Sequence, residues 1–229
     1  MDPRLRIAVD ASLAWYDALC ALHGVPCLVD EGIWLALTPP PPLHSAVKVV
    51  ELGVPVDRVV AAARDGGGVA DSFGELDLVD RGFDLLFTAR WIHRSVADEP
   101  TARGAPSWSI VRSADALAAW TAKHDTAAVL LPGLLARSSF QVLARYADGV
   151  PNAGAVLHLG TGAVSISNVW SDGGDDPWPE LVSNAAAKWP RRDLVGYERG
   201  ADLDAALRAG FADVGPQHVW VAGGPGGGS

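Results

Sequence analysis

The stretch "YERGADLDAALRAGFADVGPQHVW", residues 197–220, reads as a helix, a glycine stop and a strand. An earlier stretch, "FGELDLVDRGFDLLFTARWI", residues 73–92, reads the same way. In each, a Gly-Phe pair (Gly82-Phe83, Gly210-Phe211) closes a short helical stretch and opens an apolar strand. Glycine takes the left-handed backbone conformation without a Cβ penalty, so it marks the residue just past a helix end. One chain using that ending twice leads to the expectation of two related α/β units.

The flanking segments extend the parallel. "VPVDRVVAAAR" and "PWPELVSNAAAK" are alike in composition and place a helix at 56–64 and at 180–188. Each helix follows two strand-like runs and precedes a short segment, the Gly-Phe helix and a final strand. The predicted fold class is therefore α/β with a mixed sheet, built as two halves in tandem. The halves fall at 1–94 and 110–222, with a polar, proline-containing linker at 95–109 and a glycine-rich flexible tail at 223–229.

Within the first half, periodicity predicts a helix over 10–23 that stops at Gly24. "VPCLVDEGIWLALT" and "LHSAVKVVEL" read as strands joined by the stiff prolines 39–42. "DSFGELDLVDRGF" reads as a capped helix and "DLLFTARWIH" as a strand. In the second half, helices are expected at about 113–122 and about 132–146. "AGAVLHLG" and "GAVSISNVW" then form a hairpin around Gly160-Thr161-Gly162, and "DLVGYE" a short strand.

At 229 residues, 49% apolar and 20% charged, the chain has the make-up of an ordinary globular protein. Its net charge of −9 argues against nucleic acid or an anionic membrane surface as a partner, since both select basic faces. The total still leaves room for a small basic pocket. Cys20 and Cys27 fit no metal-binding spacing and read as buried residues, so no metal and a reduced, cytoplasmic setting are expected. No run of 18 apolar residues exists and no signal peptide is apparent. The partners to expect are a small-molecule substrate and a second copy of the chain.

From "AVSISNVWSD" through "WPELVSNAAAKWPRRDLVGYERGADLDAALRAGFADVGPQHVWV" the sequence resembles the C-terminal part of the GNAT superfamily, the GCN5-related N-acyltransferases. The likeness is clearest over 160–221. It implies a GNAT-like fold in which two parallel strands, 164–170 and 194–197, splay apart. Their unpaired backbone groups would receive the pantetheine arm of a co-substrate, acetyl-CoA or another acyl-CoA. The next helix N-terminus would offer its N–H groups to the pyrophosphate. The implied function is transfer of an acyl group from a thioester to a small amine. His158, Tyr197 and Glu198 are the candidate catalytic groups, and Asn168, Val169, Trp170, Gly173 and Gly174 the candidate co-substrate contacts.

The chain departs from the family pattern in two places. Family members carry a basic or Gln residue and then a Gly-x-Gly or Gly-x-Ala turn after the first splayed strand. This chain has "SDGGDDPWPE" there. Asp172, Asp175, Asp176 and Glu180 set negative charge at that turn, a cost on the order of 1–4 kcal/mol each toward a pyrophosphate. The family's frequent acid, a Tyr four residues before the Gly of Gly-Phe, falls at Ala206. These departures open the alternative of a GNAT-fold protein that has lost CoA and binds or transforms another small ligand in the same cleft, or serves as a partner subunit. In the first case Trp170, Trp178 and Trp189 would supply an aromatic wall.

"GTGAVS" lacks the following helix that a dinucleotide turn needs, "DGGDD" lacks the ligand alternation of a calcium loop, and no Gly-x-Ser-x-Gly elbow is present.

Overall fold

The structure, a computed structural model, describes residues 1–63, 67–97 and 108–223. Most of the 95–109 linker and the tail beyond 223 lie outside the described residues. The chain forms two compact units, one of Met1–Trp15 with Trp91–Val214 and one of Tyr16–Arg90 with Gly215–Ser229. The division runs across the sequence halves rather than between them. Strands β5 (Phe83–Arg94) and β11 (Ala212–Ala222) each start in one unit and end in the other. Each unit thus takes in a strand end from the opposite half of the sequence.

In the unit of 16–90, the strand order is β1-β2-β3-β4-β11. The segment expected as one strand is a hairpin, β1 (Cys27–Asp30) and β2 (Ile33–Ala36), because Glu31 and Gly32 turn the chain with φ of 42° and 83°. Two consecutive positive φ values belong to the tight turn whose twist matches the strands. Next, β3 (Val47–Val49) pairs in parallel with β4 (Val69–Asp71) across helix α2 (Val56–Ala62), and β11 closes on β4 with His218 opposite Asp71. The helix expected in 71–83 shrinks to a 3-10 turn at Val79–Arg81. Buried Asp71 explains this: its carboxylate accepts the N–H groups of Phe73 and Leu76 at 3.0 and 2.8 Å, holding the backbone in a turn instead.

In the other unit the order is β5-β10-β9-β8-β7-β6, with β6 (Ser109–Ile110), β7 (Phe140–Ala147), β8 (Val150–Leu159), β9 (Ala163–Ser171) and β10 (Asp193–Glu198). The expected hairpin around 160–162 is present as β8 and β9. The helix expected at 132–146 is not. Pro132–Ala136 is a 3-10 turn and 140–147 is strand β7. "FQVLARYA" alternates faces as it pairs with β8, so a period of two prevails over the helical reading. Ala153, Ala155 and Leu157 of β8 join Val164 and Ile166 of β9 in a core against helices α4 (Trp178–Lys188) and α5 (Gly200–Arg208). The opposite face carries Gly154, over which Trp120 of helix α3 (Ala114–Lys123) lies, and His158, against which Trp15 of the first helix, α1 (Pro3–Leu22), packs.

Both Gly-Phe pairs perform the same cap. Gly82 and Gly210 have φ of 83° and 91°, and the N–H groups of Phe83 and Phe211 both reach back 3.2 Å, to the carbonyls of Leu78 and Ala206. The repeated ending is thus one helix-stop device used twice.

Candidate functional site

Strands β9 and β10 pair in parallel through only three residue pairs, from Ala163–Asp193 to Ser165–Val195. Both strands run on, to Ser171 and Glu198, with no further ladder between them. Gly196 stands where they part: a Cβ there would lie 2.8 Å from the Ile166 carbonyl oxygen, so only glycine lets the backbones come so close.

Past that point β9 bulges. Against β8 its register moves from Val156–Ser167 to Gly154–Trp170, so Asn168 and Val169 together face a single residue. Asn168 has a φ of 51°, a conformation asparagine tolerates, and its side-chain amide donates to the Ser167 hydroxyl at 3.1 Å. A bulge withdraws backbone amides from the ladder and turns them aside, here beside the diverging β10. Val169 packs against the α4 core, and Trp170 turns to the other face. Its ring meets Trp120 edge-on at 5.7 Å and stacks with His124 at 6.4 Å. Gly154 makes room for this aromatic pair, since a Cβ there would fall within 2.3–2.4 Å of both indole nitrogens.

Glu198 ends β10 at the mouth of the divergence, partly buried. Burial first, and the Asp202 carboxylate second, push its carboxyl up to about 8. Asp202, in the first turn of α5, also acts on His124, whose own pKa burial lowers. Asp202 thus acts on the charge of both Glu198 and His124, and His124 stacks on Trp170. His124 and Asp202 went unnoticed in sequence because no local motif connects α3 to α5; only the fold does.

The remaining candidates are spread out. Tyr197 points to the opposite side of β10 from Glu198, exposed and edge-on to Trp91 at 5.5 Å. His158 lies opposite Ser165, beside the paired part of β9, between Trp15 and Phe140. Burial, with Arg137 adding to it, lowers its pKa to about 4, so it is a neutral ring at pH 7. Trp178 is buried in the core against Phe211, and Trp189 lies past the far end of α4. No aromatic wall of these two rings surrounds the gap.

The acidic turn is less negative than its sequence. Asp172 pairs with Lys123 at 2.9 Å, Asp175 with Arg145 at 3.2 Å and Asp176 with Arg208 at 3.5 Å, while Glu180 accepts from the Trp108 indole at 2.5 Å. The Gly173 N–H is taken by the Ser171 hydroxyl at 3.3 Å, and Gly174 has a φ of 70°. The first turn of α4 is engaged as well. The Trp178 N–H goes to Asp176, Pro179 has none, and the Leu181 N–H goes to the Pro177 carbonyl.

The residues present thus fit the two parts of an acyl-CoA differently. Diverging strands and a bulge suit a thioester and its amide-bearing arm. An N-terminus capped by a carboxylate, beside a turn of paired acids, does not suit a pyrophosphate. Among the described residues no three His, Cys, Asp or Glu side chains cluster as metal ligands, and no helix is long and apolar enough to cross a membrane.

No protein-family model matches the chain, and neither does the sequence of any curated protein. Solved structures do. A GCN5-related N-acetyltransferase from Kribbella flavida superposes with a TM-score of 0.64 at 14% identity, covering 96% of this chain and 97% of that one. A conserved protein of unknown function from Staphylococcus epidermidis gives 0.65 at 11% identity over 86% and 94%. A GCN5-related N-acetyltransferase-like protein from Streptococcus suis gives 0.55 at 13% over 96% and 99%. The chain has the GNAT fold, at a sequence distance that marks it as a divergent example.

Proposed function

We propose that the protein is an N-acyltransferase that moves an acyl group from a thioester to a small amine in the gap between β9 and β10. The observation that carries the reading is the placement of Glu198, raised to about 8, at the end of a strand that has left its parallel partner beside a bulge. A carboxylate tuned toward neutrality is matched to taking a proton from an amine near physiological pH. Backbone amides of Asn168–Trp170, where Asn168 and Val169 share one partner residue on β8 before Trp170 resumes the pairing, are the groups to polarise the thioester carbonyl. In the step, the Glu198 carboxylate receives the amine proton as the N–C bond forms and the C–S bond breaks, and the departing thiolate takes a proton from solvent. The strands hold the donor's arm by main-chain hydrogen bonds, as one more strand would.

A second reading is favoured by the start of α4. With its Trp178 N–H capped by Asp176 and Pro179 lacking a donor, the fold has given up its usual anion site. The gap would then serve a small ligand without a nucleotide.

Both readings meet in one assay. Purified protein is given acetyl-CoA or S-acetyl-pantetheine with a panel of small amines, and acylated product is followed by mass spectrometry. The proposal expects transfer that rises with pH through about 8. Glu198→Gln should remove that limb and slow transfer by about 10²–10⁴-fold. Transfer from S-acetyl-pantetheine at least as efficient as from acetyl-CoA would support the nucleotide-independent gap. An unchanged rate in Glu198→Gln would overturn the assigned base.

A further inference from the structure

At the opposite end of α4 the charge is reversed. A cavity of about 320 Å³ opens beside the edge strand β6 and its neighbour β7, and Arg112, Arg137 and Lys188 share its wall. Among the described residues no Asp or Glu lines it; Leu134, Phe140 and Val142 give it an apolar side, and Ser138 and Gln141 add polar groups. That size lies at the small end of ligand pockets.

Cations gathered on one cavity wall stand out in this chain, which carries 27 acidic against 18 basic residues. Several other cations of the same unit each pair with an acid: Arg4 with Asp2, Lys123 with Asp172, Arg145 with Asp175 and Arg208 with Asp176. Neither Arg112 nor Lys188 makes an ion pair among the described residues; the Lys188 ammonium lies 5.7 Å from the Trp189 ring. A cation in the last turn of α4 accounts for Lys188, as complement to the helix dipole, but Arg112 lies two residues past β6 and Arg137 directly follows the 3-10 turn at Pro132–Ala136. Half-buried Arg137 also acts on His158, so its charge reaches into the fold as well as into the cavity. A cationic wall facing an apolar one is the arrangement that recognises a molecule with one anionic head and a hydrophobic body.

We propose that this cavity binds a small amphiphilic anion, a carboxylate or a phosphate on an apolar body the size of an octyl chain or a phenyl ring. The site is separate from the β9–β10 gap and does not depend on acyl transfer there. Octanoate and phenyl phosphate, the probes for the two head groups, are titrated into the intact protein by calorimetry and by thermal shift, with octanol as the neutral control. At least one anion should bind and raise the melting temperature by mass action. Binding should weaken about tenfold or more in an Arg112→Gln/Lys188→Gln double variant, whose exposed substitutions leave the unliganded melting temperature in place. Salt should weaken it too. Octanoate alone identifies a carboxylate site, and phenyl phosphate alone a phosphate site. Failure of both anions, equal binding of octanol, or undiminished binding in the double variant would each overturn the proposal. Since the readout is binding, it stands or falls separately from acyl transfer.

Discussion

Strands β3 and β4 pair in parallel through three residue pairs, as β9 and β10 do, and a helix connects the members of each pair. After the third pair they differ. β3 and β4 stop at Val49 and Asp71, and the Asp71 carboxylate turns the chain inward by taking two N–H groups. Fully buried Lys48, in the middle of β3, sits 5.0 Å from the Tyr16 ring, with Asp71 acting on its charge. β9 and β10 instead overrun their ladder, part at Gly196 and bulge at Asn168. A parallel pair with its crossover helix is therefore only the frame. The overhang and the bulge make a site, and in the other unit the buried Asp71 carboxylate, held by two backbone N–H groups, closes the corresponding place.

The seal offers the largest effect on stability. Asp71→Ala strands two buried N–H groups and removes the carboxylate that favours the charged form of Lys48, a loss of about 2–6 kcal/mol in urea denaturation. Lys48→Met should be neutral or stabilising, by up to about 4 kcal/mol. If Asp71→Ala costs nothing, the closed end is not held by charge and the contrast with β9–β10 loses its basis.

A smaller loss is expected on the open side. Gly154→Ala drives a Cβ into the Trp120 and Trp170 indoles and should cost about 1–3 kcal/mol, with altered tryptophan fluorescence. Fluorescence unchanged from the parent would mean that the Trp170 platform beside the bulge is not fixed by Gly154.

The smallest effects are pH slopes of opposite sign. Burial holds Lys48 down to about 7 from 10.5, so between those values the unfolded chain binds the extra proton and stability rises with pH. Glu198 is raised from 4.5 to about 8, so between those values the folded chain holds the extra proton and stability falls with pH. Denaturation profiles of Lys48→Met and Glu198→Gln should each flatten one slope and spare the other.

Much of this was legible in the sequence. The two Gly-Phe caps, the β8–β9 hairpin, the order of strands and helices in 160–221 and the place of Glu198 all rest on local patterns, which survive folding. What was not legible depended on partners far along the chain. "FQVLARYA" became a strand because β8 was there to pair with it. The 72–78 turn obeyed the buried Asp71 rather than helix propensity. His158 looked like a base until Trp15 and Phe140 enclosed it. No spacing rule links His124 and Asp202 to Glu198, or tells that β5 and β11 end in the opposite unit.

Acyl transfer in this fold requires the overrunning ends of β9 and β10 to take a thioester arm between them. Amide hydrogen exchange with and without S-acetyl-pantetheine measures this directly. The account predicts slowed exchange confined to 166–170 and 196–198, with β3 and β4 unaffected. Exchange at those amides that is the same with and without the thioester, S-acetyl-pantetheine and acetyl-CoA alike, would contradict it.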